Sequence, residues 1–253
     1  WQGEALTVFP PEKLKLEKLD IEAALKTRIM ILLIGILIHK FKKFSLPFSG
    51  GCKLGKRTLT PHLYALEKFG IKIKVKDEEY EISRNKLTSG ENIIMYESGD
   101  TATENAILAA ALIEGKTVVK FASANYQVQD LCHFLAGLGV KIEGIGTSTL
   151  AILGKEKLNK EYSFQLSEDP IEAMFFLAAA IVTKSSILIK RCPLEYLELE
   201  LFKLEKMGLK YKIAKEYKSE NGFAQLADIK TYPSELIAPE EKIYGRPYPG
   251  LNI

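Results

Sequence analysis

Apolar residues recur along this chain in three sets with the same internal spacing. The sets are Leu59, Leu63, Leu66 and Phe69; Val128, Cys132, Leu135 and Leu138; and Leu197, Leu201, Leu204 and Met207, each displaced by 69 residues from the one before. Positions i, i+4 and i+7 lie on one face of a helix. Each set ends in glycine, an apolar residue and lysine: Gly70-Ile71-Lys72, Gly139-Val140-Lys141 and Gly208-Leu209-Lys210. That ending reads as a helix C-cap followed by a strand. The register extends upstream, because Leu108-Ala109-Ala110-Ala111 stands 69 residues before Leu177-Ala178-Ala179-Ala180.

One full copy therefore runs from about Thr101 to Pro170. It predicts an Ala-rich helix, Ala102–Glu114, ended by Gly115, then a β-branched strand, Thr117–Phe121. A second helix, Gln127–Leu138, follows, with strands at Val140–Glu143 and Thr149–Leu153. An earlier copy has a weaker helix, Ala23–His39, and is stretched around Phe41–Ser49. The unit is βαβαββ, too long for the common solenoid repeats and suited to an α/β layer with two helices on one sheet.

The 253 residues suffice for one or two domains with a substantial core. A net charge of +3 is small and dispersed, and Lys40–Lys43 and Lys72–Lys76 read as solvated faces, so no nucleic-acid partner is expected. The longest apolar run, Ile29–Ile38, falls well short of the roughly 20 residues that cross a bilayer. It reads as a buried helix, and no membrane partner is expected. Three cysteines without close spacing form neither a disulfide framework nor a zinc site. With no signal-peptide pattern at Trp1-Gln2-Gly3, a cytoplasmic setting is expected, without metal or cofactor.

The densest chemistry lies in Ser49-Gly50-Gly51-Cys52-Lys53-Leu54-Gly55-Lys56-Arg57. A phosphate-binding P-loop fails there, because Arg57 stands where the magnesium-binding hydroxyl belongs. A cysteine phosphatase fails on the Cys52–Arg57 spacing. Two readings stay open on these residues: a lid carrying a thiol activated by Lys53, Lys56 and Arg57, or a surface loop with an incidental cysteine. A second turn, Tyr96–Glu104, also sits at a strand-to-helix junction, where free N–H groups can hold anions.

The segment LPFSGGCKLGKRTLTPHLYALEKFGIKI resembles the Cys-loop and following helix of the UDP-N-acetylglucosamine 1-carboxyvinyltransferases, the enolpyruvyl transferases of peptidoglycan synthesis. Four further segments resemble that family in order: SGDTATENAILAAALIEGKTVV, YQVQDLCHFLAGLGVKIEGIGT, SEDPIEAMFFLAAAI and PYPGLNI. The resemblance implies an inside-out α/β barrel of repeated βαβαββ units, about three of six being present here. Residues 1–167 would be a partial first domain and 168–253 a partial second one, so the chain is expected to be the middle of an enzyme and inactive alone.

The implied substrates are phosphoenolpyruvate and UDP-N-acetylglucosamine, with phosphate leaving after addition and elimination. By position, Cys52 matches the loop cysteine that reacts with phosphoenolpyruvate and with fosfomycin. Arg28 and Arg57 match phosphate-binding arginines. Thr58, Leu59, Thr60 and Pro61 take the places that hold uracil and diphosphate, and Ser98, Gly99, Asp100 and Thr101 those of a second nucleotide-contact turn. Thr58, Thr60 and Pro61 replace the family's Pro, Asp and Leu. Asp100 puts a carboxylate where the family usually has Val, near an expected diphosphate, which calls for a lysine to pair with it, and Pro170 replaces an arginine. The family's general-base Asp would follow Ile253. A non-catalytic nucleotide-sugar binder and a shikimate enolpyruvyl transferase are the alternatives. His62 reads as structural, Thr101 and Glu104 as a capping box, and Asp169 and Glu172 as caps of the next helix.

Overall fold

A computed structural model of the chain describes residue 9 and residues 12–27, 29–48, 50, 59–76, 79–90, 92–158 and 162–251. In chain order the elements are α1 (Ile21–Lys26), α2 (Leu33–Leu37), β1 (Lys43–Pro47), α3 (Thr60–Glu67), β2 (Ile71–Lys76), β3 (Glu79–Arg84) and β4 (Ile93–Ile94). They continue with α4 (Asp100–Ala111), β5 (Gly115–Lys120), α5 (Tyr126–Gly137), β6 (Lys141–Glu143) and β7 (Thr149–Gly154). The last group is α6 (Pro170–Val182), β8 (Leu188–Pro193), α7 (Glu198–Lys206), β9 (Lys210–Lys218) and β10 (Gln225–Tyr232).

The repeat in the sequence is a repeat in topology. The strands order as β1-β3-β2, β4-β5-β7-β6 and β8-β10-β9. In every copy the last strand lies in the middle, antiparallel to the strand before the second helix and to the strand after it. The middle copy adds β4, parallel to β5, and so completes the βαβαββ unit. Gly70, Gly139 and Gly208 all take positive φ, 85°, 96° and 110°, where a side chain would strain the turn out of each second helix. The apolar columns face inward: Leu66, Leu135, Cys132, Leu201, Val128 and Leu197 are buried.

The buried apolar residues form two clusters. One runs from Ala24 to Ile152 and the other from Ala173 to Ile229. The lysines of β2 and of Lys40–Lys43 are exposed, as expected for solvated faces.

Three local expectations are corrected. Ala23–His39 is not one helix: α1 ends at an extended Thr27, and a short 3-10 turn, Ile29–Leu32, leads into α2. The Ile-rich stretch has weak helix propensity. Its position is set by packing, because the Gly35 N–H donates to Asn105 Oδ1 at 2.8 Å. The Ala-rich helix starts at Asp100 and ends at Ala111, and Gly115 opens β5 rather than closing the helix. The capping box is absent, since Gly99 is the N-cap and Thr101 sits inside the helix with its hydroxyl at His62. Asp169 does cap α6, accepting from the Ile171 N–H at 2.8 Å. Among the described residues no helix is long and apolar enough to cross a membrane.

Candidate functional site

The two turns singled out in the sequence meet at His62. Leu59 is the N-cap of α3, and half-buried Thr60 and buried Pro61 form its first turn. Proline suits that position, having no N–H to leave unpaired and a φ preset for helix. Ser98, Gly99, Asp100 and Thr101 form the entry to α4 and are all half-buried. His62 Nε2 lies 3.4 Å from Thr101 Oγ1, and His62 Nδ1 lies 3.2 Å from Asn105 Nδ2. The imidazole is buried and locks the start of α3 onto the first turns of α4.

Asn105 is the residue that sequence reasoning passed over. It is fully buried, donates to Ile31 O at 2.9 Å, and accepts from Gly35 N. One amide thus joins α4 to α3 and to the Ile-rich stretch, with both of its ends in use. The available signal was an amide at the last polar position before the apolar run Ala106–Ala111. Exposed Tyr64 and Tyr96 meet edge-on, ring centroids 5.6 Å apart, beside the same two turns.

Among the described residues no lysine pairs with Asp100, although the sequence had seemed to require one. Its Oδ1 accepts from the Ser123 hydroxyl at 2.5 Å and its Oδ2 from Asn125 Nδ2 at 3.0 Å. Asn125 is itself the N-cap of α5, accepting from the Tyr126 N–H at 2.9 Å. The Tyr126 hydroxyl then donates to Asp169, the N-cap of α6, at 3.1 Å. The N-terminal ends of α4, α5 and α6 are therefore linked by one run of side-chain hydrogen bonds. Asp130 fastens the same place, accepting from the N–H and hydroxyl of Ser167 at 2.9 and 2.6 Å. Beside it opens a groove of about 720 Å³ walled by Tyr126, Phe134, Tyr162 and Phe164.

Ionisation follows burial. Burial, and next the charge of Asp100, push the Glu104 carboxyl up to about 7. The buried Cys132 thiol is pushed up to about 12, chiefly by desolvation and further by Glu104, and burial raises Cys192 to about 11. Neither is a nucleophile at neutral pH. Burial lowers both His39 and His133; His39 Nε2 lies 3.3 Å from Leu108 O, and His133 stacks on Phe223. Arg28, Cys52, Arg57 and Thr58 lie outside the described residues. Among the described residues no cluster of His, Cys, Asp or Glu is arranged to hold a metal ion.

A repeated α/β unit, with two helix-entry turns meeting at one buried histidine, is the arrangement to set beside known proteins. The sequence profile of EPSP synthase (3-phosphoshikimate 1-carboxyvinyltransferase) matches residues 5–238, and the chain belongs to that family. Among curated relatives, the UDP-N-acetylglucosamine 1-carboxyvinyltransferase of Campylobacter hominis is 37% identical over 227 residues, 89% of this chain and 51% of that protein. The enzyme of the same name from Hydrogenovibrio crunogenus is 39% identical over 181 residues, 72% of this chain and 43% of that protein. The chain spans about half the length of such relatives.

Solved structures share the fold. The enolpyruvyl transferase NikO from Streptomyces tendae superposes with a TM-score of 0.63 at 20% identity, covering 80% of this chain and 46% of that one. EPSP synthase from Acinetobacter baumannii gives 0.60 at 20% identity, covering 81% and 46%.

Proposed function

We propose that this chain carries the Cys-loop half of an enolpyruvyl transferase of peptidoglycan synthesis, acting in the cytoplasm on phosphoenolpyruvate and UDP-N-acetylglucosamine. A proton is delivered to the methylene carbon of phosphoenolpyruvate, and the 3′-hydroxyl of the sugar, giving up its proton to a base, attacks the adjacent carbon. The tetrahedral ketal then loses phosphate together with a methyl proton, which restores the enol double bond on the sugar. An acid, cationic phosphate ligands and exclusion of water are what this chemistry needs. In this reading Cys52 supplies the acid, Arg28 and Arg57 hold phosphate, and residues 58–61 and 98–101 hold the nucleotide. Residues 1–167 and 168–253 belong to the first and second domains.

One observation carries the reading: His62 holds the entry turns of α3 and α4 together, so two segments 39 residues apart can address one ligand. The names of the relatives favour UDP-N-acetylglucosamine over a shikimate acceptor. The test is intact-mass labelling of the chain with fosfomycin, with and without UDP-N-acetylglucosamine, beside a Cys52→Ala control. A sugar-dependent adduct lost in the control is the expected result. A folded protein that forms no adduct would sink the assignment of Cys52 and the nucleotide turns.

A further inference from the structure

The groove beside Asp130 differs in its walls from two other grooves of the molecule. The one beside β8, about 400 Å³, has Lys190 and Arg191 in its lining, and the one beside β1, about 470 Å³, has Lys43. The groove along α5, about 720 Å³, is lined by the rings of Tyr126, Phe134, Tyr162 and Phe164 and by the carboxylates of Asp130 and Asp169. No lysine or arginine among the described residues lines it. Phe134, Tyr162 and Phe164 stand at the corners of a triangle, ring centroids 5.8 to 6.2 Å apart, their planes inclined to one another by 37 to 72°. Phe134 and Tyr162 remain exposed. The wall is fixed in place. Tyr162 sits flush on α5, where a Cβ on Gly137 would stand 1.9 Å from its ring. The two hydrogen bonds from Ser167 to Asp130 fasten the other end of the same segment. A ligand entering this groove need not order it first.

We propose that this groove binds a free small organic cation, a fully alkylated ammonium group carried on an apolar body. Aromatic ring faces attract such a cation through their quadrupole, and more strongly where water is excluded. The carboxylates add negative charge. Asp130 accepts from Ser167, and Asp169 accepts from the Tyr126 hydroxyl and the Ile171 N–H. All of these donors are neutral, so they use lone pairs without cancelling charge. A primary ammonium or a guanidinium must replace its water with hydrogen bonds, and acceptors already in use serve it poorly. A fully alkylated ammonium has no N–H to satisfy. Ring faces and negative charge are all it needs, and both line this groove. The volume is that of a site for a small molecule.

Calorimetric titration of the chain with choline, benzyltrimethylammonium and neohexyl alcohol, the uncharged carbon isostere of choline, tests this. Choline should bind about tenfold or more tightly than the alcohol, and benzyltrimethylammonium more tightly still. Phe164→Leu keeps an apolar side chain and removes one ring, and it should cut the preference for choline over the alcohol by about threefold or more. Phe134→Leu serves as the second variant should the first fail to fold. Equal affinity for choline and the alcohol overturns the proposal. So does a folded chain that binds neither cation at millimolar concentration. A preference for choline that survives the loss of either ring would put the cation elsewhere on the chain, and overturns it too. Retention of the chain on phosphatidylcholine vesicles without binding of free choline would overturn the assignment to a free ligand.

Discussion

Helices α4 and α6 occupy the same place in successive copies of the repeat, yet α4 is buried over most of its circumference and α6 along one side. Ala102, Ala106, Ile107 and Ile113 are exposed by at most 6%. Their partners 69 residues later, Ile171, Phe175, Phe176 and Val182, are exposed by 44 to 79%. Of the column that α6 buries, only Ala180 has a buried counterpart, Ala111; Thr101, Glu104 and Leu108 are half-buried where Pro170, Ala173 and Leu177 are buried. The difference lies in the neighbours. α4 packs against α2, α3, α5 and its sheet, whereas α6 rests on its own sheet through Ala173 and Leu177. Apolar pattern thus specifies a helix; which of its sides are covered depends on what lies around it.

The largest effect expected from this contrast is on folding. Ala106→Glu should abolish it, because an unpaired carboxylate among the elements packed around α4 costs several kcal/mol, about the whole stability of a domain. Phe175→Glu, at the matching position, should leave the melting temperature within about 2 °C and reduce binding of a hydrophobic dye. Equal damage from the two substitutions, read by circular dichroism, would mean that α6 is covered in solution.

A somewhat smaller effect is expected one residue earlier, where Asn105 in α4 corresponds to half-buried Met174 in α6. Asn105→Leu should cost about 2–4 kcal/mol in urea unfolding, since it strands the Gly35 N–H and the Ile31 carbonyl in the core. Met174→Leu should cost less than about 1 kcal/mol. A cost below about 1 kcal/mol for Asn105→Leu would mean that water replaces the amide.

These positions also mark where sequence reading stops. The columns ending at Gly70, Gly139 and Gly208 disclosed the repeat, its strands and its second helices, because a period and a positive-φ turn are local facts. Asn105, Ser123, Asn125 and Tyr126 act through partners 20 to 74 residues away, and no local pattern announces such pairs. The T-A-T-E segment misled for the same reason. Its threonine hydroxyl is set beside His62, on another helix, instead of capping its own. The entry turns at residues 59–61 and 98–101 were legible through the resemblance; that one histidine holds them together was not.

A pH dependence sharpens the comparison further. Glu104 has Ala173 as its counterpart, so α6 holds no such group. Its carboxyl titrates near 4.5 when unfolded and about 7 when folded, so the folded state binds the extra proton. Stability from this group is full below about 4.5 and is lost as pH rises through 7. The loss should be on the order of 2–3 kcal/mol. Urea midpoints measured across that window should fall for the unaltered chain and stay flat for Glu104→Gln. Parallel curves for the two proteins would place the titration elsewhere.

The smallest effect concerns the link between the two regions. The Tyr126 hydroxyl at the start of α5 donates to Asp169 at the start of α6, while Asp169 also accepts from its own helix at Ile171. Tyr126→Phe removes only the link and should cost about 1 kcal/mol. Asp169→Ala removes link and cap together and should cost about 2 kcal/mol. In the double variant the costs should fall short of additivity by about the value of the link. Full additivity would mean that α5 and α6 unfold independently and that Tyr126 transmits nothing between them. A shortfall would mean that the N-terminal ends of α4, α5 and α6 form one energetic unit, in which the carboxylate at position 100 is fixed by groups reaching as far as position 169.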